Sequence, residues 1–187
     1  LNVVKLTSLY GSGQLINFTS DKVYQNNGAN KLFKEEDFLL GSDPYSFSKS
    51  CSDLVGQNLD MNLKNLKIST IRCGNIIGGG DWSKFRLIPD YYRAYLSNKN
   101  LVIRNSKHIR PWQNVIVPIF IIYQIIKQSN ENMFDTFNIG PRYKNITVKD
   151  IIGKLNKINN STVKIKFHDT KESKESQSLK LNISKSK

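Results

Sequence analysis

The sequence predicts an α/β fold built on a parallel sheet, and three features predict it. The apolar run Leu15-Ile16-Asn17-Phe18-Thr19 carries the β-branched and aromatic content of a buried strand. A helical stripe follows from about residue 44 to 63, and Leu66 to Cys73 reads as the next strand. Strand, helix and strand in that order imply parallel pairing with right-handed crossovers, and ligands on such sheets bind beyond the carboxyl ends of the strands. Asp21 and Asn75 lie just past two of those ends.

The first strand closes on Thr19-Ser20-Asp21-Lys22. Residues 24 to 43 are rich in Asn, Gly, Lys and Glu without a clear period, marking a long surface loop that leads to Pro44, a favoured first-turn residue. In the helix that follows, Tyr45, Lys49, Leu54, Val55, Leu59 and Leu63 recur at helical spacing. After the second strand, Gly78-Gly79-Gly80 reads either as backbone that can approach a ligand or as a flexible loop. It lacks the spacing of Gly-x-Gly-x-x-Gly and the Lys-Ser/Thr of a P-loop, and Gly11-Ser12-Gly13 is no better. Arg86 to about Leu96 predicts a helix, Leu101 to Arg104 a short strand, Val115 to Ile126 a buried helix and Phe134 to Ile139 a further strand. Thr147 is placed as the N-cap of a last helix, and from Asn159 onward the chain alternates weakly and grows rich in lysine and serine.

The chemistry gathers on Asp43-Pro44-Tyr45-Ser46-Phe47-Ser48-Lys49. Residues i and i+4 share a helix face, so the Lys49 ammonium can lie beside the Tyr45 phenol, and a nearby cation favours the ionised form of an acid. A phenol so tuned takes a proton from an alcohol. Farther on, Arg104, Arg110, Trp112 and Gln113 fall within ten residues. They read equally as equipment for gripping a diphosphate and packing a sugar, or as surface arginines beside a core tryptophan.

At 187 residues with 39% hydrophobic content the chain is long enough for one domain with a sizeable core. It begins with no charged-then-apolar signal and has no run of 18 uncharged apolar residues, so the cytoplasm is the expected compartment and no membrane is expected as partner. Cys51, Cys73, His108 and His168 are isolated from one another, which gives no zinc constellation and makes both cysteines buried apolar residues by expectation. Of the net charge of +13, twelve Lys and Arg against four acids fall between Arg142 and Lys187, with few aromatics among them. That is the distribution of a solvated lysine-rich surface, and no nucleic acid is expected as partner.

Five strings taken together carry a resemblance: Thr-Ser-Asp-Lys-Val-Tyr at 19 to 24, Asp-Pro-Tyr-Ser-Phe-Ser-Lys at 43 to 49, Arg-Cys-Gly-Asn-Ile-Ile-Gly-Gly-Gly-Asp-Trp at 72 to 82, Arg-Leu-Ile-Pro-Asp at 86 to 90, and Ile-Arg-Pro-Trp-Gln-Asn-Val at 109 to 115. In this order they resemble the CDP-glucose 4,6-dehydratases of the extended short-chain dehydrogenase/reductase superfamily, from about Leu15 to the end. Ser-Asp-Lys after the strand and Arg-Pro-Trp-Gln set this branch apart from sugar epimerases and from dTDP-glucose dehydratases, which carry Asp-Glu. The resemblance implies NAD as cofactor and a nucleotide sugar, CDP-glucose, as substrate, with internal oxidation, elimination and reduction. It implies catalytic roles for Tyr45, Lys49, Asp21, Lys22 and Ser20. Tyr45, Lys49, Thr19 and Cys73 would meet the cofactor, and Ser20, Asn75, Arg86, Arg104 and Arg110 the substrate.

It also implies part of a Rossmann-like doubly wound sheet, about 15–80 and 111–128, with part of a small substrate-binding lobe, about 81–110 and 134–187. The full-length form is expected to be a homodimer through the helix carrying Tyr45 and Lys49. The family's N-terminal strand, Gly-x-x-Gly-x-x-Gly and helix are absent before Leu1, and Leu9 to Gly13 is a poor end for the helix expected there. The expectation is therefore an internal piece of a longer enzyme or a degenerate copy, poorly stable and nearly inactive alone because its sheet faces and edges are bare. Another nucleotide-sugar epimerase or dehydratase is the second reading, and a non-catalytic basic module the third.

Overall fold

A computed structural model of the chain describes residues 2–9, 13–28, 30–58, 66–128, 134–142, 145–161, 163–167 and 178–187. In chain order the elements are α1 (Asn2–Leu9), β1 (Gly13–Phe18), α2 (Pro44–Asn58), β2 (Leu66–Cys73), β3 (Ile76–Ile77), α3 (Leu87–Leu96), β4 (Leu101–Ile103), β5 (Gln113–Asn114), α4 (Ile116–Lys127), β6 (Phe134–Ile139), α5 (Val148–Ile158) and β7 (Ile165–Phe167). The end of the helix predicted to 63, with Leu59 and Leu63, lies outside the described residues, as does His168.

The main sheet is parallel, in the order β1-β2-β6, with Phe18 opposite Ile71 and Ile71 opposite Phe137. The central strand is buried on both faces because a helix covers each. Ile71 and Cys73 pack with Ile139 against Ile121, Ile122 and Ile125 of α4. Thr70 and Arg72, alternating to the opposite face, meet α2, which comes so close to β1 that a Cβ on Gly56 would lie 2.7 Å from Asn17 Nδ2. A second group packs α3, β4 and α5 together through Tyr91, Ala94, Leu101, Ile103 and Ile152, with β4 paired to β7. Thr147 caps α5 as expected, in a capping box with Asp150.

Four expectations are corrected. Phe134–Ile139 was assigned to the lobe, yet it pairs with β2 in the main sheet. Val115 to Ile126 reads as a buried helix, but only one face of α4 meets the sheet, leaving Ile116 68% and Phe120 59% exposed. Cys51 is exposed, since it points away from the buried α2 face of Ser46, Ser50, Asp53 and Gly56. The segment 24–43 is more than a surface loop: Tyr24, Phe33 and Leu39 are buried in a cluster with Val23, Leu179, Leu181 and Ile183. The helix expected before β1 folds as α1 and ends at Leu9, setting Val4 against Leu66 and Ile68; residues 10–12 of the stretch read as a poor helix lie outside the described residues, and Gly13 opens β1.

Candidate active site

Parallel pairing brings the ends of β1 and β2 side by side, and the backbone N–H of Thr19 carries the ladder one step further by donating to Ile71 O at 2.8 Å. Beyond it Ser20 caps a 3-10 turn, Asp21–Val23, accepting from the Lys22 backbone N–H at 3.2 Å and donating its hydroxyl to Asp21 Oδ1 at 3.1 Å. Asp21 is 4% exposed and its Oδ2 has no hydrogen-bond partner. Burial pushes its carboxyl up from 3.8 to about 6, against the opposing pull of Ser20, Lys22 and Arg110. A carboxyl in that range holds a proton it can deliver near neutral pH.

α2 supplies the facing wall. It opens at Pro44 because Asp43 caps it, its carboxylate accepting from the Ser46 backbone N–H at 3.1 Å and from the Ser46 hydroxyl at 2.5 Å. One turn apart on this helix, Tyr45 and Lys49 line the same cleft as Asp21 and Lys22. Tyr45 is 54% exposed, and Lys49 Nζ reaches Phe18 O at 3.5 Å.

Under the cleft lies a buried ionic lock. Arg72 and Asp53, both fully buried, meet through Nε–Oδ2 and Nη2–Oδ1, each 2.8 Å. Asp53 Oδ2 also accepts from the Thr19 hydroxyl at 2.9 Å, while Arg72 Nη1 donates to Tyr24 Oη at 3.0 Å and Glu35 O at 2.7 Å. Desolvation of both charges is costly, and only so complete a set of partners offsets it. The lock joins α2 to the ends of β1 and β2, which carry one part of the cleft lining.

The cleft encloses about 570 Å³ and brings together nine of the sequence-predicted residues: Thr19, Ser20, Asp21, Lys22, Tyr45, Lys49, Cys73, Asn75 and Arg86. Arg86 sits on its outer bank, paired with Asp81 at 3.1 Å. Cys73 is 4% exposed, its Sγ accepting from Gln113 Nε2 at 2.9 Å, and burial, aided by the Asp21 charge, pushes its thiol up to about 12. It stays protonated and is no nucleophile. Two predicted residues lie elsewhere. Arg104 is exposed outside the cleft. Arg110 is buried, donating to Ile109 O at 2.9 Å and meeting His108 Nδ1 at 3.0 Å, although its charge still reaches Asp21. Sequence reasoning did not assign Asp81 or Phe85 to the site and left Trp112 open between packing a sugar and a place in the core, yet all three line the cleft. Trp112 arrives there because Pro111 packs under Gly74 so tightly that a Cβ on Gly74 would lie 2.3 Å from the proline ring. The pairing of β3 with β5 makes that crossing, and two-residue strands leave no periodic trace in a sequence.

Comparison with known proteins agrees with this architecture. Residues 1–140 match the family model of the NAD dependent epimerase/dehydratase family. The chain is 37% identical over 153 residues to a CDP-glucose 4,6-dehydratase of Salmonella typhimurium, covering 75% of this chain and 43% of the relative. It is 30% identical over 153 residues to a dTDP-D-glucose 4,6-dehydratase of Dictyostelium discoideum, covering 81% of this chain and 33% of that one. Among solved structures, a dTDP-glucose 4,6-dehydratase from Bacillus anthracis in complex with NAD superimposes with a TM-score of 0.83 at 21% identity. A UDP-glucuronic acid 4-epimerase from Bacillus cereus, in complex with UDP-glucuronic acid and NAD, does so at 0.87 and 17%. Each superposition covers 98% of this chain and 57% of the other, and at such identities it establishes the fold. The chain thus spans less than half of the two curated relatives and a little over half of the two structures. Family match, identity and superposition agree, and the chain belongs to the NAD dependent epimerase/dehydratase family.

Proposed function

We propose that this chain carries the catalytic face of a nucleotide-sugar 4,6-dehydratase that turns CDP-glucose into CDP-4-dehydro-6-deoxyglucose and water. The observation that carries the reading is the meeting of Tyr45 and Lys49 with Ser20, Asp21 and Lys22 across one cleft. The described residues suit the nicotinamide end of NAD: an open cleft at strand ends, with a phenol and an ammonium on one wall for a ribose and its neighbours. NAD, when bound, supplies a hydride acceptor at C4 of the sugar and returns that hydride to C6.

The chain's own residues do the proton work. Tyr45, one helical turn before Lys49, takes the proton of the 4-hydroxyl as the C4 hydride departs. The 4-keto group acidifies C5, and Lys22 accepts the C5 proton. Asp21, whose protonated form burial favours, gives its proton to the departing 6-oxygen, and water leaves. When hydride arrives at C6, Lys22 returns a proton to C5. Tyr45 has gained one proton and Asp21 has lost one, and exchange with solvent restores both. Ser20 holds the Asp21 carboxyl and meets the sugar, Asn75 orients it, and Arg86 faces the diphosphate. Thr19 and Cys73 form the wall on which the cofactor rests, and Arg110 acts at a distance on Asp21 rather than by touching substrate.

The exposed apolar residues of α2, Phe47, Leu54 and Val55, support a homodimer through that helix. Two free cysteines suit the reducing cytoplasm.

The test is product analysis with the protein expressed from the full reading frame that carries this sequence. CDP-glucose and NAD should give a 4-keto-6-deoxy sugar that absorbs in alkali. An epimerised hexose with no such absorbance rejects the reading in favour of an epimerase. Lys22→Met should stop exchange of C5 deuterium while C4 oxidation persists; unchanged exchange removes Lys22 as the base.

A further inference from the structure

Two conformational habits of this chain are broken at one residue. Among the described residues, backbone in the left-handed region falls on Gly28, Gly80, Asn98, Asn105 and Asn160, the residue types that tolerate it, and on one bulky side chain, Phe85, at φ 64°. Large apolar side chains are ordinarily covered as well, yet Phe85 is 88% exposed. It lies on the lining of the catalytic cleft, beside Arg86, whose guanidinium is held by Asp81. Strain kept at a cleft by a residue that contributes nothing to the core is what a binding site retains.

The depth of the cleft assigns the ligand part. Asp21, 4% exposed, marks the floor where the hexose reacts, and Phe85 marks the rim. In a nucleoside diphosphate sugar the hexose is joined through two phosphates to the nucleoside. A hexose on the floor therefore sends the phosphates past Arg86 and the base to the rim. We propose that Phe85 is the platform on which the nucleobase stacks, and that its left-handed backbone presents the ring to the cleft. The inference rests on the nucleotide-sugar reading above. Stacking reads the flat face of the base and not its edge, so Phe85 contributes affinity without choosing between cytidine and uridine.

The experiment measures binding, not turnover, by calorimetry on the same full-reading-frame protein with CDP, UDP and inorganic pyrophosphate. The variants are Phe85→Asn, which accepts the same backbone without the ring, and Phe85→Tyr, which keeps the ring. Phe85→Asn should weaken CDP and UDP alike by roughly tenfold or more and leave pyrophosphate within about twofold, while Phe85→Tyr stays near the parent. The melting temperature of Phe85→Asn should rise by about 2–4 °C as the strain is relieved. Equal loss for nucleotide and pyrophosphate, unchanged nucleotide affinity, or a parent that binds no nucleotide each overturns the proposal. A parent that binds CDP through Phe85 but forms no keto sugar keeps the platform and rejects the dehydratase.

Discussion

Tyr45 and Asp21 ask opposite things of their surroundings. Tyr45 stands half out of the protein on α2, so Tyr45→Phe should fold as the parent does while product formation falls by about 10²–10⁴-fold. Stopped-flow absorbance of the reduced nicotinamide would show the first step lost; retained turnover removes Tyr45 as the base. Asp21 is defined by burial. Below pH 3.8 it is protonated both folded and unfolded and affects stability little. Between 3.8 and about 6 the unfolded chain ionises first and stability falls, and above 6 the penalty is complete, on the order of 3 kcal/mol. Asp21→Asn should therefore be the more stable form in urea unfolding at pH 8, by up to about that amount, with little gain near pH 4. On the proposed mechanism the neutral carboxyl is the acid, so kcat/KM of the parent should fall as pH rises through about 6; a flat profile from pH 5 to 8 contradicts the role.

At the scale of elements, the position of α2 against the sheet depends on the Arg72–Asp53 lock. Arg72→Met alone leaves a buried carboxylate without its partner and should cost about 3–5 kcal/mol, whereas Asp53→Leu with Arg72→Met should recover most of it. Chemical denaturation of the three proteins checks this, and a double variant no better than the single one rejects it. The lock also shows what the sequence could and could not disclose. β1, α2 and β2 were legible because period and composition are local, and Tyr45, Lys49 and Asp21 followed from their places at helix start and strand end. Arg72 was read only as part of a strand motif, because its partner stands 19 positions away on another element. Arg104 and Arg110 were grouped by nearness in sequence, yet the turns between β4 and β5 send one to solvent and the other inward against His108. Phe85 gave no sequence signal, since backbone strain is visible only in three dimensions.

For the whole molecule, the uncovered features matter most. In the described three-stranded sheet β1 and β6 are both edges, and α4 turns Ile116, Ile119, Phe120 and Ile126 outward. Bare edges and apolar patches of this kind promote association. The 187-residue chain alone should therefore bind a hydrophobic dye and elute as concentration-dependent aggregates. Ile119→Lys with Phe120→Glu should reduce the aggregated fraction, and no change in light scattering would place the sticky surface elsewhere. The segment behind Asp21 and Lys22 has a second consequence. Asn26 is fastened to Ser178, 152 positions later, and Phe33 exchanges backbone hydrogen bonds with Lys180 and Asn182. At ordinary translation speed that separation is roughly 10–30 s of synthesis. During that interval the nascent chain can pair β1 with β2 while Asp21 and Lys22 beside them still lack their backing. The turn behind β1 thus gains its support only once residues 178–182 have left the ribosome.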